Sequence, residues 1–130
     1  MSSESRYQKG LELRKQVVGE KYVNRALSTA TDFTKPLQDL ITEHVWGNIW
    51  SRPVLDRKTR SLITVAMLIA LNRPNELRIH IKGALRNGCS KEEIRELLIH
   101  STVYCGFPAA VDAFKIAEEV TEEWEKGNRD

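Results

Sequence analysis

The sequence predicts an all-α fold, one helical domain spanning residues 1–130, and three observations support it. Apolar residues recur at three- and four-residue spacing along almost the whole chain, as amphipathic helices require. No segment alternates apolar and polar residues in the manner of a half-buried strand. Helix start and stop signals punctuate the stripes at short intervals, which leaves no repeat and no linker.

Residues 4–18 place Tyr7, Leu11, Arg14 and Val18 in one helical register and stop at Gly19. A shorter helix over 20–30 groups Val23, Ala26, Leu27 and Ala30. Asp32 or Thr34 can cap a third, with Pro36 in its first turn, where a missing N–H costs little. Its stripe of Leu37, Leu40, Ile41 and Val45 leads to Trp46, and Gly47 and Pro53 are expected to close it. Asp56 opens a fourth helix whose stretch 62–71 is apolar on every side, so burial on every side is expected. A chain of 130 residues has little room to enclose such a helix. Either neighbouring helices of the same chain or a second subunit must cover it.

The fifth helix, PNELRIHIKGALRNG over 74–88, carries Leu77, Ile81, Ala84 and Leu85 and ends at a glycine stop, Asn87-Gly88. Ser90-Lys91-Glu92-Glu93 reads as a capping box, in which each side chain satisfies the other residue's free backbone N–H. The helix it starts runs through Ile94, Leu97, Leu98, Ser101 and Tyr104 to Cys105-Gly106. Pro108 restarts the chain for a last helix with Val111, Phe114, Ala117 and Val120, fraying into EEWEKGNRD.

Composition excludes several classes of function. Twenty Lys and Arg against 18 Asp and Glu give a net charge of +2, too small to draw a nucleic acid or an anionic membrane. LRNGCSKEEIRELL superficially resembles a helix-turn-helix, but Glu92, Glu93 and Glu96 outweigh Lys91 and Arg95 and fit phosphate poorly. The apolar run LITVAMLIAL is about half of the ~20 residues a membrane span needs. The polar start MSSESRYQKG has no signal-peptide core, so a cytoplasmic location is expected. Cys89 and Cys105 form neither a disulfide framework nor a CxxC pair and read as small apolar fillers. Three scattered histidines give no metal site.

His80 is the residue that raises a question. It lies in the apolar stripe beside Ile81, with Glu76 one turn back, where a carboxylate can reach an imidazole. It is either a packed core histidine or a proton carrier aimed into a pocket. Arg57, Lys58 and Arg60 crowd the first turn of a helix, where their charge opposes the dipole; a bound anion would make that placement favourable. Trp46 and Trp50, one turn apart, are packing residues first and pocket walls second, while His44 and His100 show no convincing partner.

From Trp46 to Gly106, WGNIWSRPVLDRKTRSLITVAMLIALNRPNELRIHIKGALRNG and the SKEEIRELLIHSTVYCGFPAAVDAF that follows resemble the carboxymuconolactone decarboxylase family. The N-terminal YQKGLELRKQVVGEKYVNRAL extends the likeness over almost the whole chain. The combination of WSRP, RKTRS, ExxxH and YxGxP is specific, although no single piece is. Peroxidase-type members carry CxxCxxxH, and here Arg73 and Glu76 stand where that motif has its cysteines, so the decarboxylase branch is favoured.

The resemblance implies decarboxylation of 4-carboxymuconolactone, a small dianionic lactone, to 3-oxoadipate enol-lactone in protocatechuate breakdown. It implies no cofactor, and a homo-oligomer, commonly a hexamer. On this resemblance, Arg52 and Arg60 hold the carboxylates. Asn48, Ser61 or a backbone N–H near Arg52 meets the charge growing on the lactone oxygen, with Trp46 and Trp50 alongside. His80 delivers the proton, and Glu76 orients the ring and favours its protonated form. Two positions depart from the pattern: Asn48 replaces the glutamate of WGEVWSRP, and Val54 a common glycine. Asn cannot exchange a proton near neutral pH, so a non-catalytic or repurposed binding protein is the competing reading.

Overall fold

The computed structural model describes residues 2–130, and among them every regular element is helical. The residues group into two compact units, one reaching to Leu55 and joined by Asp130, the other Asp56–Arg129.

The first unit contains α1 (Ser3–Val18), α2 (Glu20–Ser28), α3 (Lys35–Leu40) and a π-helix (Ile41–Trp50). Ser2 caps α1 by accepting from the Ser5 N–H at 3.1 Å. Gly19, at φ 98°, separates α1 from α2, as the sequence predicts. Thr31 and Thr34 close the turn before α3, Thr34 Oγ1 accepting from the Thr31 N–H at 2.8 Å, and Pro36 sits in the first turn.

The expected close between Gly47 and Pro53 falls at Trp50, and the chain passes Gly47 in a widened turn. Gly47 is a packing residue. A Cβ there would lie 2.2 Å from the Arg6 carbonyl oxygen of α1, and one at Gly10 would lie 2.0 Å from the Thr42 carbonyl. The two backbones meet where only glycines fit. A π-helix bonds residue i to i+5, which brings Thr42 and Gly47 to one side; ordinary i+4 bonding would splay them. Thr42, Trp46, Gly47 and Trp50 are its buried residues.

The second unit contains α4 (Arg57–Ala70), α5 (Pro74–Arg86), α6 (Lys91–Tyr104) and α7 (Phe107–Glu125). Its core is aliphatic: Val65, Ile69, Leu77, Ile81, Ala84, Ile94, Leu98, Ala113, Ala117 and Val120, with Cys89 as a small filler. Burial pushes the Cys89 thiol up to about 11, which keeps it protonated and inert. The capping signals fall where the sequence places them. Asp56 accepts from the Thr59 N–H at 2.7 Å. Gly88 turns at φ 93° while the Cys89 N–H reaches back to the Ala84 carbonyl at 2.9 Å. Both halves of the Ser90–Glu93 box form, at 3.0 and 2.9 Å.

Of the two expected sources of cover for α4, the chain itself supplies only part. Ser61, Val65 and Ile69, spaced four apart, are the buried residues of α4 and Leu62 and Leu68 pack partly buried against the same core, while Ile63 and Met67 remain 39% and 59% exposed.

Candidate active site

Four of the candidate residues belong to the first unit. The π-helix buries Trp46 and Trp50, their rings stacked with centroids 4.7 Å apart and planes inclined by 29°. They pack first, as the sequence implies. Asn48 lies on the exposed side, its Nδ2 3.4 Å from Nδ1 of His44, so His44 does have a partner. Arg52 follows directly after the helix and is exposed, its N–H donating to the Ile49 carbonyl at 3.1 Å. His100, in the second unit, is also partnered, its ring 5.1 Å from that of Tyr104.

The other four, Arg60, Ser61, Glu76 and His80, belong to the second unit. α5 turns Leu77, Ile81 and Ala84 into the core, which leaves His80 half-buried at the edge of that face. Two ion pairs to α7, Arg78 with Glu119 and Lys82 with Glu123, hold α5 along its length. Glu76 is exposed.

Electrostatics correct the expected roles of this pair. Burial pushes the His80 imidazole down to about 4, and the attraction of the Glu76 carboxylate recovers only part of that. At neutral pH the ring is therefore neutral at rest, even though Glu76 acts in the expected direction, toward the imidazolium. Desolvation wins because water is removed from the ring while Glu76, in solvent, acts through a screened field.

Arg60 is half-buried in the first turn of α4. Its neighbour Lys58 is paired to Glu93 at 2.9 Å, so part of that basic cluster is neutralised from α6 without any ligand. Ser61 is fully buried and accepts a 2.8 Å hydrogen bond from Asn87 Nδ2. This fastens α4 to the end of α5 and gives Ser61 a packing role.

A cavity of about 520 Å³ lies between α6 and α7, floored by Ile94, Leu98 and Ala117 and rimmed by Lys91, Arg95 and Lys115. None of the candidate residues lines it. Among the described residues no group of three His, Cys, Asp or Glu is placed to hold a metal ion. No helix of the described residues is long and apolar enough to cross a membrane.

The sequence model of the carboxymuconolactone decarboxylase family matches residues 35–119. The chain belongs to that family. It is 46% identical, over 134 residues and the full length of both proteins, to 4-carboxymuconolactone decarboxylase of Acinetobacter baylyi. It is 45% identical to nitrosuccinic acid decarboxylase of Metarhizium robertsii, over 87% of this chain and 79% of the relative. The match to the family spans both units, from α3 almost to the end of α7.

Sequence reading missed the polar centre of the first unit. Arg14 is buried there, with Gln38 and Thr42 as partners. The available signal was a cation standing in the same register as Tyr7, Leu11 and Val18.

Proposed function

We propose that the chain is a carboxy-lyase that converts 4-carboxymuconolactone to the enol-lactone of 3-oxoadipate without an organic cofactor. The observation that supports this most is the full-length identity to the Acinetobacter baylyi enzyme. A second relative that is itself a decarboxylase adds to it. A family match crossing both units supports treating residues 1–130 as one functional domain.

The chemistry asks little of the protein. When the ring carboxylate leaves as CO2, its electron pair is conjugated through the neighbouring double bond to the lactone carbonyl. The substrate thus contains its own electron sink. The net step consumes one proton, which forms the new C–H bond. Arg52 and Arg60 take the two carboxylates, as planar guanidinium groups do well. Asn48 and a backbone N–H near Arg52 donate to the lactone oxygen as charge accumulates on it. Trp46 and Trp50 form the wall.

His80 carries the proton, in a role revised by its surroundings. Neutral at rest, it meets a dianion whose charges join that of Glu76 in raising the ring's pKa from about 4. As the dianion binds, the ring takes up a proton from solvent and passes it to the dienolate carbon.

Nitrosuccinate meets the same electronic requirement, because CO2 loss beside a nitro group leaves a stabilised nitronate. The lactone is the preferred substrate on the fuller match. We further infer a cytoplasmic homo-oligomer, a hexamer on the family resemblance, with a second copy covering the exposed Ile63 and Met67 of α4 and Leu71 just after it.

The test is incubation of the purified protein with authentic lactone and, separately, with nitrosuccinate, following CO2. The lactone is expected to turn over faster. His80→Ala is expected to lower kcat by about a hundredfold or more while the protein stays folded. Release of no CO2 from either acid would overturn the decarboxylase reading for both. An unchanged kcat in the folded His80→Ala protein would remove His80 from the mechanism.

A further inference from the structure

The most unusual polar group in the molecule is Arg14, 3% exposed in α1. Its Nη1 donates to Thr42 Oγ1 at 3.1 Å and its Nη2 to Gln38 Oε1 at 2.9 Å, both neutral acceptors. Burial lowers its pKa. A buried cation with neutral partners stabilises a fold poorly, and an apolar side chain of similar volume would fill the space at less cost. What an arginine adds is a rigid fork of N–H groups that fixes two acceptors relative to each other.

Those two acceptors lie on either side of one junction. Gln38 belongs to α3 and Thr42 to the π-helix, and the hydrogen-bonding pattern changes between them. Thr42 closes the triangle by donating its hydroxyl to the Gln38 carbonyl at 2.9 Å. The hydroxyl proton and a lone pair of Thr42 are both engaged, so a different register there would break two bonds together.

The same face of α1 holds the π-helix at two further points. Arg6 and Ser3 reach Glu43 at 3.2 and 3.0 Å, and Gly10 abuts Thr42 and Gly47. Arg6, Gly10 and Arg14 are spaced four apart along α1 and so form one stripe. The glycine contact sets how closely the helices approach, but it is smooth. The polar points add direction to that contact and so select one rotation.

We propose that Arg14 is a positioning residue for the decarboxylation: it fixes where α3 widens into the π-helix, and thereby where Trp46, Asn48, Trp50 and Arg52 are presented. Almost fully buried, it acts through the helix and touches no substrate. The proposal rests on the reading that this segment contacts the lactone.

The stacked Trp46–Trp50 pair provides a reporter independent of turnover. Two indoles 4.7 Å apart give an exciton couplet in circular dichroism, over a constant background from Trp124. The experiment compares Arg14→Met, Arg14→Lys and Thr42→Val in the full chain, reading the couplet, the thermal midpoint, and kcat and KM for the lactone.

Arg14→Met is expected to stay folded, to lose at least half of the couplet, and to raise KM about tenfold with a smaller fall in kcat. Arg14→Lys should recover part of both signals, and Thr42→Val should move them in the same direction by less. Should Arg14→Met fail to fold, the other two variants decide by the same readings. A couplet and KM within twofold of the parent in the folded variants overturns the proposal. So does a lost couplet with unchanged kinetics, which would make Arg14 purely structural. If the parent protein does not turn over the lactone, the functional reading falls, and the couplet still decides whether Arg14 sets the register.

Discussion

The two units are held together by different physics. In the second, Ile81, Ile94, Leu98 and Val120 interlock as a hydrocarbon core, and its helix ends are closed by local caps. In the first, Leu13, Val17, Trp46 and Trp50 are buried too, but α1 and the π-helix also meet backbone to backbone at two glycines, beside a buried guanidinium. A hydrocarbon core tolerates small changes in volume because side chains can shift. A backbone-to-backbone contact cannot, since the obstructing atoms belong to the chain itself. The first unit is therefore built for exactness of placement and the second for bulk cohesion.

That contrast can be broken most forcefully at Gly47. Adding one carbon there, Gly47→Ala, meets the Arg6 carbonyl at 2.2 Å. The expected loss is about 3 kcal/mol or more, despite the ~1 kcal/mol by which alanine favours helix over glycine. Chemical denaturation with circular dichroism measures it, and a variant as stable as the parent would show that the helices can separate freely.

A change of similar size, but confined to the second unit, comes from His80. Its pKa lies below the unfolded value of 6.5, so the unfolded chain binds more protons between pH 6.5 and about 4. Stability from the neutral ring is complete above about pH 6.5 and is lost as the pH falls toward 4, a swing of about 3 kcal/mol. Comparing the pH dependence of unfolding in the parent and in His80→Gln isolates it. Equal slopes would mean the ring is not held neutral.

The smallest effect sharpens the comparison from the other side. Ile81→Val removes one methylene from the fully buried centre of the second unit and is expected to cost about 1 kcal/mol. One carbon taken from the hydrocarbon core should thus matter about a third as much as one carbon added at the glycine contact. A larger loss at Ile81 than at Gly47 would invert the account.

The candidate site was legible only in part. His80 stands out because a titratable ring in an apolar stripe is visible in one dimension, and the packing role of Trp46 and Trp50 follows from their four-residue spacing. The protonation state of His80 was not legible. It depends on how much water the folded chain removes from the ring, and exposed Glu76 looks like a stronger partner in sequence than it is in space. The tie of Ser61 to Asn87 and the pairing of Lys58 with Glu93 join residues 26 and 35 positions apart, beyond any local pattern.

By itself the sequence determined what depends on neighbours within one turn: the helical class, the glycine stops, the capping box, and the apolar faces of α5, α6 and α7. Tertiary structure alone decided the rest. Gly47 reads as part of a helix stop until α1 lies against it, and how much of the run 62–71 the chain itself buries is settled only by which helices pack on it. The physical reason is the range of the interactions. Hydrogen-bond rings and caps close within a few residues, whereas backbone approach, desolvation and buried charge exist only once distant segments have met.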